Sequence, residues 1–235
     1  MKSKLFTAAL AALMLSSCTP KENGYFDNLP QEANPIEIGN KITNRFLEQG
    51  HSQYGSPLRV NEPRTQITYP DVCTWLGGLW FAQETDNKEL TERLKARFEP
   101  LFTNEAYLQP KPNHVDNNVF GAVPLELYLQ TGEERYKTLG MMYADSQWEL
   151  PANWKLKEGE ERQSSMYGDF KDADICQPEQ KEWADKGYSW QTRFWLDDMY
   201  MITTIQAQAY RVTNDRKYID LSLIHISEPT RHSLI

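Results

Sequence analysis

Asp197 and Asp198 stand side by side in the run WQTRFWLDDMYM, residues 190–201. The segment that follows, ITTIQAQAY, is apolar at helical spacing, so the pair opens a buried helix. Carboxylates placed there lose hydration. The helix N-terminus opposes that loss with free N–H groups and the positive end of its dipole. A carboxyl whose proton affinity is set by such opposed effects can act as general acid and base. Simple capping by one Asp is the plainer role. Trp190, Arg193 and Trp195 just upstream favour chemistry, because aromatic faces beside a carboxylate suit a sugar ring.

The elements that must hold this run are helical, and strand signals are weak. Ile36–Glu48 reads as an amphipathic helix after a proline entry. Tyr69–Glu84 and Asn118–Gln130 are apolar nearly all round, hence buried. Leu90–Phe102 and Arg135–Trp148 carry one polar face. Asp198–Arg211 is a third buried helix, and Lys217 starts another amphipathic one. Leu150–Tyr188 is a long polar excursion, expected over the site as a lid.

The joints repeat. Thr85-Asp86, Thr131-Gly132 and Thr213-Asn214 each precede charged residues and then a large apolar one. A left-handed Gly or Asn ends one helix there, and an acidic residue starts the next. Thr85 and Thr131 are 46 residues apart, Thr131 and Thr213 82. The first interval suits one helical hairpin, the second a hairpin plus the excursion. Units of a buried helix followed by a half-buried one predict an all-α fold, an incomplete (α/α)6 toroid with about three of six hairpins. A tetratricopeptide solenoid needs shorter units.

In such a toroid three segments meet at one end: Tyr69–Trp75, His114–Phe120 and Trp190–Asp198. They bring together Tyr69, Asp71, Trp75, His114, Asp116, Asn117, Trp190, Arg193, Trp195, Asp197 and Asp198. Each alone has a bland role, His114 as a loop hydrogen-bonder, Asp116 as a cap, Trp75 as core. Their coincidence at the same end of successive repeats is what points to a site.

The ends are processing signals. Residues 1–17 carry a basic start and a short apolar stretch, a secretory signal too short to span a membrane. Leu15-Ser16-Ser17-Cys18 reads as a lipobox, with Cys18 the lipid attachment site, and Thr19 in place of Asp directs the protein to the outer membrane of a Gram-negative bacterium, on its periplasmic or surface face. Residues 18–35 form a polar tether, and 36–220 the catalytic domain, a partial barrel. Leu221–Arg231, LSLIHISEPTR, is identified as the translation of a transposase-based sequencing adapter, so 221–235 is expected to be a non-native tail and the chain the N-terminal part of a longer protein, inactive alone. His51 and His114 are then the native histidines.

A net charge of −8 with no basic cluster argues against nucleic acid. Aromatic residues make up 12% of the chain, with seven tryptophans, which suits carbohydrate. Cys73 reads as a buried free thiol rather than a disulfide partner of Cys176. No metal-ligand spacing and no phosphate loop occurs, so neither metal nor cofactor is expected.

Tyr69 with Gly77-Gly78, then HVDNNVFG, then FWLDDMYM resemble glycoside hydrolase families 88 and 105, the unsaturated glucuronyl and unsaturated rhamnogalacturonyl hydrolases. The resemblance spans about residues 36–220, and FWLDDMYM is closer to the rhamnogalacturonyl branch. It implies an (α/α)6 barrel with Asp197 as acid–base, Asp116 as a second, substrate-contacting carboxylate and Tyr69 as a sugar-contacting aromatic. Tyr69, Trp75, His114, Asn117, Trp190, Arg193 and Asp198 are expected to bind substrate, with Arg193 pairing with the uronate carboxylate. Asp198 and Val72 depart from the residues common in the family at their positions. The implied reaction removes a 4,5-unsaturated uronic acid from lyase-generated pectin or rhamnogalacturonan oligosaccharides by acid-catalysed hydration of the double bond. To donate its proton near neutrality, Asp197 needs a raised pKa. The alternatives are a non-catalytic sugar-binding outer-membrane lipoprotein, which needs no converging carboxylates, and another (α/α)-barrel sugar enzyme.

Overall fold

The structure is a computed structural model that describes residues 30–51, 61–150, 155–156, 175–176 and 178–227. The expected signal peptide and lipid-bearing Cys18, most of the expected tether and of the polar excursion, and residues 228–235 lie outside the described residues. Contacts divide the chain into Met1–Ile42 and Thr43–Ile235. In the first unit a 3-10 turn, Gln31–Ala33, leads into helix α1, Pro35–Glu48, which continues into the second. The Asn34 side chain accepts the Ile36 N–H at 2.9 Å, and Pro35 sits at the first helical position, where its missing N–H costs nothing.

The second unit is built on three helical hairpins. They are α2 (Tyr69–Glu84) with α3 (Lys88–Phe98), α5 (Ala122–Thr131) with α6 (Glu134–Ser146), and α8 (Leu196–Thr213) with α9 (Arg216–Ser227). The buried first helices pack in succession, α2 on α5 and α5 on α8. A four-residue helix α4, Val115–Asn118, precedes α5, and α7, Pro178–Asp185, precedes α8. The chain is all-α; strand pairing among the described residues is one two-residue parallel match of Lys155–Leu156 with Ile175–Cys176.

The repeated joints have one construction. The hydroxyls of Thr85, Thr131 and Thr213 donate to the carbonyls of Phe81, Leu127 and Ala209, each at 2.7 Å. The next residue is left-handed in all three, Asp86 at φ 48°, Gly132 at 75° and Asn214 at 56°. A threonine that closes the last turn and a residue that tolerates positive φ end the helix and reverse the chain.

The helix expected from Asn118 starts differently. Val115–Asn118 is α, Val119–Gly121 is 3-10, and α5 begins at Ala122. Pro124 accounts for this, since it has no N–H for the Phe120 carbonyl and is tolerated only in a first turn. Gly121 is required by closeness: a Cβ there would lie 2.6 Å from the Tyr143 Cβ and 2.7 Å from the Ile205 Cδ1. Gly140 opposite would place a Cβ 2.8 Å from the Gly121 carbonyl, so α6 approaches the entry to α5 at backbone distance while α8 packs the Ile205 side chain there. Helix α9 runs through Leu221 to Ser227, the start of the adapter-like peptide.

The core holds Trp75 against Phe46, His51 and Phe98, with ring centroids 5.3–5.5 Å apart. Its indole N–H donates to the Leu94 carbonyl at 3.1 Å. The fully buried Glu126 on α5 is a second centre. Its carboxylate accepts from Trp80 on α2 at 2.9 Å, from Gln208 and Arg211 on α8 at 2.6 and 2.5 Å, and from Gln130 at 3.0 Å. One carboxylate therefore ties α2, α5 and α8 together. Burial raises its pKa; the Gln130, Gln208 and Trp80 donors and the Arg211 charge outweigh that and hold it below its ordinary value.

Candidate active site

Three carboxyls gather where α4 and α8 begin. One oxygen from each of Asp116, Asp197 and Asp198 lies within 4.8 Å of the others. Asp116 and Asp197 each occupy the second position of a helix, α4 and α8, and Asp198 the third. Their exposures separate them. Side-chain exposure is 51% for Asp197, 28% for Asp116 and 0% for Asp198.

Arg193 supplies the positive charge. Its Nη2 is 2.5 Å from Asp198, 3.1 Å from Asp116 and 3.8 Å from Asp197. The guanidinium lies 4.2 Å over the Trp195 ring, a favourable cation–π arrangement. A divalent ion could use the same three carboxyls as ligands, but the guanidinium already stands among them.

Asp116 has its pKa raised, first by burial and then by the Asp198 and Asp197 charges, against the lowering effect of Arg193. His114 caps α4, its Nδ1 accepting the Asp116 N–H at 3.2 Å. Burial and the Arg193 charge push its pKa down to about 3. It is therefore a neutral imidazole at working pH, and its 3.6 Å approach to the Asp116 carboxyl is not an ion pair.

All three expected segments do converge. Asn117 accepts from Gln66 at 2.8 Å, which links the segment before α2 to α4. Gln191 donates to the Pro112 carbonyl at 3.0 Å, and the Cys73 thiol lies 3.6 Å from the Tyr200 hydroxyl, linking α2 to α8. Tyr69, Trp195 and Tyr200 are exposed near these helix starts. Helix α7, at the end of the polar excursion, sets Trp183 edge-on against Phe194 and donates from Gln180 to the Trp190 carbonyl.

Several expectations are corrected. Trp75 and Trp190 are buried, and the Trp190 indole donates to the Ser146 carbonyl at 2.8 Å, so neither offers a face to a sugar. Asp198 has no surface for substrate. His114 is buried; Asn117, bonded to Gln66 and Asn113, is half-exposed, which does not contradict a substrate contact. Asp71 is turned into an ion pair with Arg64. Cys73 is free, as expected, but half-exposed rather than buried. Tyr200 was not foreseen. It lies one helical turn beyond Asp197, so helical spacing alone puts it on the same face.

A helical chain that presents a solvent-reaching carboxyl beside a half-buried one and exposed Tyr and Trp has the form of a carboxyl-based glycosidase. The sequence model of Glycosyl Hydrolase Family 88 matches residues 38–234, and the chain belongs to that family. The matched span runs on through the adapter-like peptide. No curated protein and no solved structure matches the chain. Family membership makes it a glycosyl hydrolase domain whose substrate is an oligosaccharide.

Proposed function

We propose that the chain removes a 4,5-unsaturated uronic acid from lyase-generated oligosaccharides of the pectin or rhamnogalacturonan type, at the mouth of an (α/α) toroid to which its three hairpins belong. The double bond of such a sugar is an enol ether. Asp197 delivers a proton to C4, water adds at C5 and gives its proton back to Asp197. The resulting hemiketal opens and releases the neighbouring sugar. One carboxyl thus serves as acid and then as base. Asp116 is the second, substrate-contacting carboxyl, held 3.1 Å from the Arg193 guanidinium. Tyr69, Trp195 and Tyr200 offer ring faces. In the same reading Cys18 carries lipid and anchors the protein at the outer membrane.

The observation that carries this is the solvent access of Asp197, the most exposed of three carboxyls whose oxygens lie within 4.8 Å. That proximity argues against a purely sugar-binding lipoprotein, which has no use for crowded carboxyls. It also keeps one rival alive, since retaining glycosidases hold their carboxyl pair about 5 Å apart. The deciding assay offers the full-length protein an unsaturated uronyl disaccharide and its saturated counterpart. Loss of the ultraviolet absorbance of the conjugated double bond, with no cleavage of the saturated sugar, is expected. Equal cleavage of both supports the two-carboxyl rival, and binding without turnover supports the lipoprotein.

A further inference from the structure

Asp198 does not face the solvent, yet it makes more bonds than either neighbour. Its carboxylate accepts the backbone N–H of Arg193 at 2.5 Å and of Trp195 at 3.4 Å. It also accepts from Arg193 Nε at 3.1 Å and Nη2 at 2.5 Å. Between those residues Phe194 is held at φ 59°, a conformation that bulky side chains avoid, with its N–H on the Thr192 hydroxyl at 3.0 Å. The loop is thus wound around one buried carboxylate.

The start of α2 is wound the same way. Asp71, also third in its helix, accepts the Thr68 N–H at 3.1 Å and the Thr68 hydroxyl at 2.8 Å, and pairs with the upstream Arg64. There the second helical position is Pro70, where α8 has Asp197. Among the described residues the third-position Asp with its arginine is therefore an anchor used at both α2 and α8, and of these two it is α8 that has a further carboxyl beside it.

Arg193 Nη2 has two hydrogens. Asp198 and Asp116 accept them, and Asp197 at 3.8 Å is beyond hydrogen-bonding distance. We propose that Asp198 and Arg193 are positioning residues: the buried carboxylate clamps the guanidinium, which holds Asp116 and leaves Asp197 free for the reacting sugar. This rests on the reading of Asp197 and Asp116 as the working carboxyls. It also removes Arg193 from the role of uronate clasp, because its Nε–Nη2 edge is already occupied. The charged and titratable groups that face Asp116 are His114, Arg193, Asp197 and Asp198, and His114 is neutral.

The experiment follows Asp116 itself by carboxyl carbon NMR titration in the full-length protein, with melting temperature and kinetics on an unsaturated uronyl disaccharide alongside. Arg193→Gln removes the group that lowers the Asp116 pKa, so its midpoint moves further up. Asp198→Asn removes a charge that raises it and frees Arg193 to bond Asp116, so the midpoint moves down. Arg193→Lys keeps the charge and returns the midpoint toward the parent value. In Arg193→Gln and Asp198→Asn, kcat falls by about tenfold or more, with a smaller change in KM. Both midpoints moving down toward the ordinary carboxyl value means that the site has merely opened, and overturns the proposal. So does a KM rise with kcat intact in Arg193→Gln, the mark of a uronate clasp. Opposite shifts of Asp116 in a protein that turns over no unsaturated sugar uphold the positioning and sink the functional reading. Unmoved midpoints with turnover lost only in Asp197→Asn do the reverse.

Discussion

Two clusters of charge meet on α8, one at its start with α4 and one further along with α2 and α5, and they are balanced in opposite ways. Around Glu126 one carboxylate meets donors from Trp80, Gln130, Gln208 and Arg211. Around Arg193 one guanidinium meets three carboxyls. The first cluster has donors to spare, and the carboxyl pKa falls. In the second, burial first and then the Asp198 and Asp197 charges outweigh Arg193, and the pKa of Asp116 rises. A buried acid with every lone pair satisfied ties helices together and is chemically inert. Acids crowded into a partly buried site bind their protons more tightly than a free carboxyl, and so can donate one closer to neutrality.

The largest effect should fall on the second cluster. In the full-length protein, Asp197→Asn keeps the shape of the side chain and removes its proton. Turnover of the unsaturated disaccharide should fall by about 10²- to 10⁴-fold or more, since one group performs both steps. Melting temperature should stay near the parent value, because Asp197 is half-exposed and makes no hydrogen bond with Arg193. Wild-type turnover in this variant would remove Asp197 from the chemistry.

The reverse pattern is expected at Glu126. Glu126→Ala leaves Gln208 and the Trp80 indole without their acceptor and strips Arg211 of its partner. Arg211 is partly solvated, so the loss should sit at the low end for a broken buried pair, about 3 kcal/mol in denaturant unfolding. A loss below about 1 kcal/mol would mean that the packing of α2, α5 and α8 does not depend on this carboxylate.

How much of this contrast is legible in the sequence depends on distance along the chain. The hairpins are local, and Thr85, Thr131 and Thr213 mark their joints because capping uses neighbouring residues. The all-α class and the convergence of three segments follow from that periodicity. Asp197 is legible because it opens an apolar run. Glu126 is not, since LELYL gives no hint of Trp80, 46 residues back, or Gln208, 82 ahead. The roles of Trp75 and Trp190 fail for the same reason. A tryptophan beside a carboxylate in sequence can turn either way, and here remote carbonyls of Leu94 and Ser146 take their indoles inward. Arg193 is nearby in sequence, but its preference for Asp198 over a ligand depends on the left-handed turn at Phe194.

A smaller effect separates the clusters by chemistry rather than by size. Glu126→Gln keeps an acceptor for some of the donors but loses the charge, at a cost of about 1 kcal/mol near neutrality. Because the folded pKa of Glu126 is lowered, its stabilisation is present above the ordinary value of 4.5 and is lost as pH falls through the folded value. The gap in melting temperature between variant and parent should therefore close on acidification.

Asp116→Asn should slope the other way and be the smallest change. Asp116 has a raised pKa, so the stability it contributes is fully present below its ordinary value of 3.8 and is lost as pH rises through the folded value. The ionised carboxyl is a cost, first because burial strips it of water and then because Arg193 does not also offset the Asp198 and Asp197 charges. An amide of the same shape still accepts the Arg193 hydrogen bond and carries no charge. Relative to the parent, Asp116→Asn should gain stability as pH rises, by less than about 1 kcal/mol, while its turnover falls. Melting curves of parent and variant, taken as a difference at each pH, isolate this group from every other carboxyl in the chain. A difference that slopes like that of Glu126→Gln would show Asp116 to be a satisfied structural acid, and the contrast between the two clusters would collapse.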